Sequence, residues 1–328
     1  MINFDYIKSS SARSATEALR ATPSSQVIAG GTNLVDHMKR GMVNPQRIID
    51  ITGLPLKGIE QSGNNIRIGA LALNSEVAEH ELIREQLPLL SDALKAGASP
   101  QLRNMATVGG NIMQRTRCTY FYDTTMPCNK RVPGSGCGAL KGYNRMHAIF
   151  GASNACIAVH PSDMCVALSA LNATVIVANK SGERKIPFAE FHRLPGTTPD
   201  VDTTLHADEL ITAVEIPDSK AFAKKSLYLK IRDRSAYAFA LVSVAAALDI
   251  HENIVQNARL AMGGVAHKPW RLYAAEEFLK GKAASLENFN MVAKISIKEA
   301  RGYGFNNFKL RLAPSTLVQT LKTLAGLS

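Results

Sequence analysis

Four of the five cysteines, Cys118, Cys128, Cys137 and Cys156, fall within 39 residues, separated by 9, 8 and 18 residues. The other 289 residues hold only Cys165. Pro127, Pro133, Gly134, Gly136, Gly138 and Gly142 interrupt the same stretch, which predicts loop rather than regular structure. Such a loop brings several thiols to one point from different chain directions. Two disulfides, a tetrahedral zinc site and an iron–sulfur cubane are all compatible with four thiols. Disulfides are unnecessary in a chain this long, because 328 residues bury a core without staples. Zinc usually brings close CxxC pairs, which are missing here. A cubane has longer edges and accepts scattered thiolates. Spacing leaves the three open. Arg115, Arg117, Lys130, Arg131, Lys141 and Arg145 surround the thiols, either to offset the charge of a thiolate-ligated cluster or as solvated loop surface. Cys165, on an apolar run, reads as a small buried hydrophobe.

The charge balance bears on partners. There are 38 Lys+Arg against 27 Asp+Glu, a net +11. The basic residues form no run of five and no aromatic-interleaved stripe, so the expectation is an anionic cofactor or acidic partner rather than nucleic acid. No stretch approaches the ~18 apolar residues of a membrane span. The start, MINFDYIKSS, shows no signal peptide, so the expected location is the cytoplasm, or the periplasm after folded co-export with a signal-bearing partner. Length predicts two domains, at ~150 residues each.

Along the chain, residues 12 to 21 read as a helix and Gln26 to Ala29 as a strand. Gly30-Gly31-Thr32-Asn33 follows, then helical spacing from Leu34. Strand, double-glycine turn and helix start is an arrangement that turns backbone N–H groups toward a phosphate. A plain strand-to-helix turn is the alternative, and the pattern is not the GxGxxG of a nicotinamide-binding fold. Residues 47 to 51 and 66 to 71 are strand candidates, and 75 to 96 have helical spacing. A second double glycine, Gly109-Gly110, lies between Thr107 and Asn111. Two such loops match a diphosphate's two phosphates. Asp163, after His160-Pro161-Ser162, either caps the next helix or faces a ligand. His147 and His160 read as packed or solvated rather than as further metal ligands. A hairpin is predicted over 173 to 188, turn-rich loop over 193 to 207, and a strand over 209 to 217. The segment 218 to 225 is the expected domain joint. Beyond it lie a three-stranded antiparallel meander (226 to 232, 238 to 250, 258 to 265) and helices over 271 to 281, 286 to 301 and 314 to 326. Lys230 interrupts an apolar strand.

AGGTNL (Ala29 to Leu34), TVGGNI (Thr107 to Ile112), HPSD (His160 to Asp163) and GGVAHKPWR (Gly263 to Arg271) stand in the order found in one family. The sequence resembles the FAD-binding medium subunit of the molybdenum hydroxylases: the xanthine dehydrogenase, carbon monoxide dehydrogenase and aldehyde oxidoreductase group. The resemblance covers essentially the whole chain. The cysteine loop, with RTRCTYFYDT, PCNKR and GSGC, is similar to that of bacterial aldehyde oxidoreductases whose flavin subunit carries an additional [4Fe–4S] cluster.

The resemblance implies an α+β fold: a two-lobed PCMH-type FAD-binding domain, like that of vanillyl alcohol oxidase, over residues 1–220, and a C-terminal domain over 221–328 with a three-stranded antiparallel sheet and helices. The lobes would span about 1–55 and 56–220, with the [4Fe–4S] loop at 115–158. It implies FAD held by Val27, Ile28, Ala29, Gly30, Gly31, Thr32, Asn33, Leu34, Thr107, Gly109, Gly110 and Asn111. Asp163 would serve the ribityl or diphosphate region, with Leu210 and Lys230 near the isoalloxazine. Cys118, Cys128, Cys137 and Cys156 would ligate the cluster. The implied assembly is a heterotrimer with a small [2Fe–2S] subunit and a large molybdenum-cofactor subunit, where an aldehyde is oxidised. This chain would pass electrons to an external acceptor and carry no catalytic residue for the substrate. Alternatives are the flavin subunit of a xanthine- or hydroxybenzoyl-CoA-type hydroxylase, a zinc-stabilised scaffold, or a stand-alone flavin oxidase.

Overall fold

The computed structural model describes residues 2–327; Met1 and Ser328, the outermost residues of the expected domains, lie outside them. Three sheets organise the chain. The first is parallel, in the order β1 (Asp5–Lys8), β3 (Arg47–Asp50), β2 (Ser25–Ile28). The helix Ala12–Ala21 makes the crossover between β1 and β2 and starts with a capping box, in which the Ser11 and Ser14 side chains each accept the other's backbone N–H. Burying Ala15, Ile49, Ile51 and Leu54 gives this small lobe its core, which continues onto Leu71 and Leu210 of the second lobe.

The second sheet is antiparallel, ordered β4 (Ile59–Ser62), β5 (Asn65–Gly69), β8 (Leu210–Ile216), β6 (Thr174–Asn179), β7 (Gly182–Pro187). The β6–β7 pair is the expected hairpin. The helical region 75 to 96 is three helices, Asn74–Glu79, Glu81–Gln86 and Pro88–Ala96, rather than a continuous one. His80 is extended (ψ 133°), and Pro88 both lacks an N–H and disfavours helical backbone at Leu87.

The third sheet has four antiparallel strands rather than three: β9 (Ser226–Ile231), β10 (Val242–His251), β11 (Ile254–Gly263) and a two-residue β12 (Trp270–Arg271) on the far edge. Glu252 and Asn253 both take positive φ (47° and 64°), the backbone of a tight two-residue hairpin turn. Successive β10 side chains serve opposite faces. Val242, Val244, Ala246 and Leu248 pack under the C-terminal helices, while Ala245 and Ala247 join the core of the second lobe. This sheet is therefore buried on both sides, with alanine letting the lobe approach closely. The last helix starts at Lys309, not at Pro314, which lies inside it. The buried Lys309 amine donates to the carbonyls of His147 (3.0 Å) and Gly264 (2.7 Å), and this anchor draws an extra turn onto the sheet. No described helix is long and apolar enough to cross a membrane.

Candidate functional site

The two double-glycine loops meet at one cleft. The first leaves β2 and enters the helix Leu34–Lys39; the second is the helical turn Val108–Ile112. Both line a cavity of about 500 Å³ that also receives Leu210 and Ile211 from β8. Val27, Ile28, Ala29, Gly30, Gly31, Thr32, Asn33, Leu34, Thr107, Gly109 and Gly110 are all in its wall, whereas Asn111, expected with them, is not. None of the amides of Gly30, Gly31, Thr32 and Asn33 donates a hydrogen bond among the described residues. Four adjacent donors facing a cavity form the kind of concave nest that takes an anion.

The glycines have distinct reasons. A Cβ on Gly30 would lie 1.8 Å from the carbonyl oxygen of Met105, and one on Gly109 would lie 3.2 Å from Ala70. These two are small because the loops pack against neighbouring backbone. Gly31 holds φ +69°, the turn's left-handed residue. A Cβ on Gly110 would meet only Thr107 Oγ1, at 3.0 Å. Gly110 is therefore the position where a side chain would project into open space rather than into the protein.

The motif asparagines stitch the cleft together. Asn33 Oδ1 accepts from the Arg115 backbone N–H (3.1 Å), and its Nδ2 donates to His37 Nε2 (3.2 Å). Asn111 Oδ1 accepts from Gln114 Nε2 and from Ser162 Oγ, both at 2.6 Å. Ser162 Oγ also accepts from Cys165 N, so Ser162 caps the helix Asp163–Ala170 and Asp163 does not. The Asp163 carboxylate instead accepts from Tyr228 OH (2.6 Å) and Lys230 Nζ (2.8 Å), and Lys230 also donates to the Ala96 carbonyl (3.0 Å).

A second cavity, about 150 Å³, holds Asp163, Ser243, Tyr143 and Phe239 in its wall and shares Thr116, Val159 and His160 with the first. Leu210 thus belongs to the double-glycine cavity, and Asp163 to the smaller one. Lys230 lines neither. The structure does not bring Leu210 and Lys230 to one wall.

Several cavity residues carried no readable signal. Asp202, from the turn-rich loop, takes Arg115 Nε at 2.6 Å and is paired with the buried amine of Lys130, which also donates to the Pro199 carbonyl (2.6 Å). Burial alone would raise the Asp202 carboxyl, but Lys130 and Arg115 outweigh it and hold the group below its ordinary value. His192 Nε2 contacts the Ile112 carbonyl oxygen at 2.9 Å, and its ring lies 4.3 Å from that of His160. Burial pushes His192 down to about 4 and His267 to about 3, so both are neutral at pH 7. These contacts join residues far apart in sequence, and no local spacing announces them.

The four loop cysteines form a third cluster. Cys118, Cys128, Cys137 and Cys156 are all free and line one small cavity, next to Thr116 and Lys130. Thr116 belongs to all three cavities, so the thiol site and the cleft share a wall. Cys128 and Cys137 face each other across an antiparallel bridge. Burial pushes Cys118 up to about 11. Cys137 is lowered to about 6 because its sulfur accepts the Cys156 thiol's hydrogen bond, which raises Cys156. Four free thiols converging on one cavity fit a site completed by metal cations, whose charge would offset that of thiolate ligands. Among the described residues, the group whose three donor atoms lie mutually within 4.8 Å is His160, Cys165 and His192, and no three of the loop sulfurs are that close.

A cleft between two lobes, with four free amides in its wall and a thiol site sharing that wall, defines a cofactor-binding chain. Residues 2–219 match the family model for the FAD binding domain in molybdopterin dehydrogenase, and 227–323 match the CO dehydrogenase flavoprotein C-terminal domain. The chain is 46% identical over 323 residues to the aldehyde oxidoreductase FAD-binding subunit PaoB of Escherichia coli K12, covering 97% of each. It is 30% identical over 280 residues to the glyceraldehyde dehydrogenase medium chain of Sulfolobus acidocaldarius, covering 85% of this chain and 82% of the relative. The fold is shared with carbon monoxide dehydrogenase of Hydrogenophaga pseudoflava, at TM-score 0.77 and 24% identity over 99% of both chains. It is also shared with quinoline 2-oxidoreductase of Pseudomonas putida 86, at TM-score 0.76 and 22% identity, covering 99% of this chain and 98% of that one. This chain belongs to the FAD-binding subunits of the molybdenum hydroxylase and aldehyde oxidoreductase family.

Proposed function

We propose that this chain is the electron-transfer subunit of a heterotrimeric molybdenum aldehyde oxidoreductase, carrying FAD and one [4Fe–4S] cluster. The observation that carries the cluster is the convergence of four free cysteines on one cavity beside the flavin cleft. Zinc usually brings close CxxC pairs, which this loop lacks, whereas a cubane accepts scattered thiolates. The aldehyde assignment rests on the name of the 46% identical relative and on that of the glyceraldehyde dehydrogenase chain.

When bound, FAD and the cluster supply the redox chemistry, and the protein sets their position and potential. The free amides of Gly30 to Asn33 would hold the diphosphate, with the turn at Thr107 to Gly110 packed closely enough to leave it room. Leu210 and Ile211 offer apolar surface to one aromatic end of the cofactor. Asp163, fixed by Tyr228 and Lys230, gives the smaller cavity a rigid polar wall. The [2Fe–2S] and molybdenum-cofactor subunits supply the electrons, and an external acceptor removes them.

The test is iron, zinc and flavin content per chain, on anaerobically isolated complex separated into subunits. About four irons and one FAD, without zinc, is the expected result. Zinc, or no metal, with FAD retained would reduce the cysteine loop to a structural element and end the cluster reading.

A further inference from the structure

The cysteine loop is tied to the C-terminal domain at His147. Its imidazole is buried, with Nε2 3.1 Å from Cys118 Sγ. Its backbone carbonyl accepts from Lys309 Nζ (3.0 Å) and Asn306 Nδ2 (3.3 Å), both from the C-terminal domain. Lys309 is fully buried, and among the described residues its hydrogen-bond partners are the carbonyls of His147 and Gly264; burial lowers its amine to about 7. A buried cation with carbonyl partners only is costly unless negative charge lies nearby. His147 connects this amine, through its carbonyl, to the thiol site, through its ring.

We propose that His147 is an outer hydrogen-bond donor to the Cys118 sulfur of the cluster, and that Lys309 positions it, so that the pair raises the cluster's reduction potential. This rests on the cluster reading above. A sulfur bound to iron carries no proton, so at 3.1 Å the ring nitrogen must donate. Hydrogen bonds to cluster sulfurs and nearby positive charge both stabilise the reduced, more negative state. The C-terminal domain thereby takes part in setting the potential of a centre whose ligands all lie in the first domain.

The experiment is an electron-paramagnetic-resonance redox titration of the intact complex carrying His147→Phe, His147→Gln or Lys309→Met, after iron and flavin are counted. His147→Phe keeps a ring but has no donor. It is expected to retain four irons and FAD and to lower the reduced-to-oxidised ratio of the cluster at fixed potential about tenfold, a shift of ~59 mV for one electron. His147→Gln keeps an N–H donor and is expected to recover most of that shift. Lys309→Met is expected to shift the potential the same way, with the flavin potential unmoved in all three. An intact cluster with unchanged potential in His147→Phe overturns the proposal. Loss of iron in both His147 variants also overturns it, because His147 would then be a ligand. A wild-type chain without iron sinks the cluster reading itself, a result distinguishable before any variant is made.

Discussion

Lys230 Nζ lies 2.8 Å from Asp163 Oδ2, with both side chains almost wholly buried, and the pair joins the third sheet to the helix Asp163–Ala170. Removing one member of a buried pair leaves the other charge uncompensated, a loss of about 3–5 kcal/mol. Lys230→Met is therefore expected to destabilise the complex by that order and to weaken flavin retention. The Lys230→Met/Asp163→Asn double variant is expected to be less damaged than the sum of the single changes. Chemical unfolding of all three variants checks this, and strict additivity would show that the pair does not couple the domains.

Gly30 and Gly110 separate packing from binding. Gly30→Ala places a methyl group 1.8 Å from the Met105 carbonyl oxygen, so the loops must part. Reduced thermal stability and loss of FAD are expected together. Gly110→Asp meets only Thr107 Oγ1 and adds a carboxylate where a diphosphate would bind. It is expected to keep its fold, judged by circular dichroism, while losing FAD. Full flavin occupancy in Gly110→Asp would remove this turn from the diphosphate site.

Cys128 and Cys165 are both buried and free, yet only Cys128 faces the other three thiols. Iron per chain is expected to fall sharply in Cys128→Ser and to stay unchanged in Cys165→Ala. The reverse pattern would move the metal to the His160–Cys165–His192 group.

Acid should loosen this protein before its carboxylates titrate. Burial holds His37, His147 and His192 down to about 4 and His267 to about 3, all below the unfolded value of ~6.5. Between those values the unfolded chain binds more protons, so stability is fully present above about pH 6.5 and is lost as pH falls toward 4. Each group contributes on the order of 1–3 kcal/mol across that window. Denaturant midpoints at pH 7.5, 6 and 5 are expected to fall in that order; a flat profile would show that these rings are not held neutral.

Much of the α+β architecture was legible because it rests on local rules. Ser11 and Ser14 cap a helix that periodicity alone located, and Gly31 marks a turn requiring positive φ. Apolar spacing in the 75 to 96 region persists through His80, so periodicity does not mark the break that the extended backbone makes there. The early start of the last helix was hidden for a similar reason: Lys309 reads as surface until Gly264 and His147 supply its partners.

By itself the sequence determined which residues could bind: two glycine turns with their threonines and asparagines, and four thiols in a stretch whose prolines and glycines confine regular structure to short turns. Those features depend on residue type and near-neighbour backbone geometry, which spacing encodes. Tertiary structure decided what those residues do with their hydrogen bonds. It spent Asn33 and Asn111 on holding loops, paired Asp163 with Lys230, and brought Asp202 to Lys130 across 72 residues. The physical reason is that burial makes every polar group find a partner, and the partner is whichever group packing brings near, at any separation along the chain.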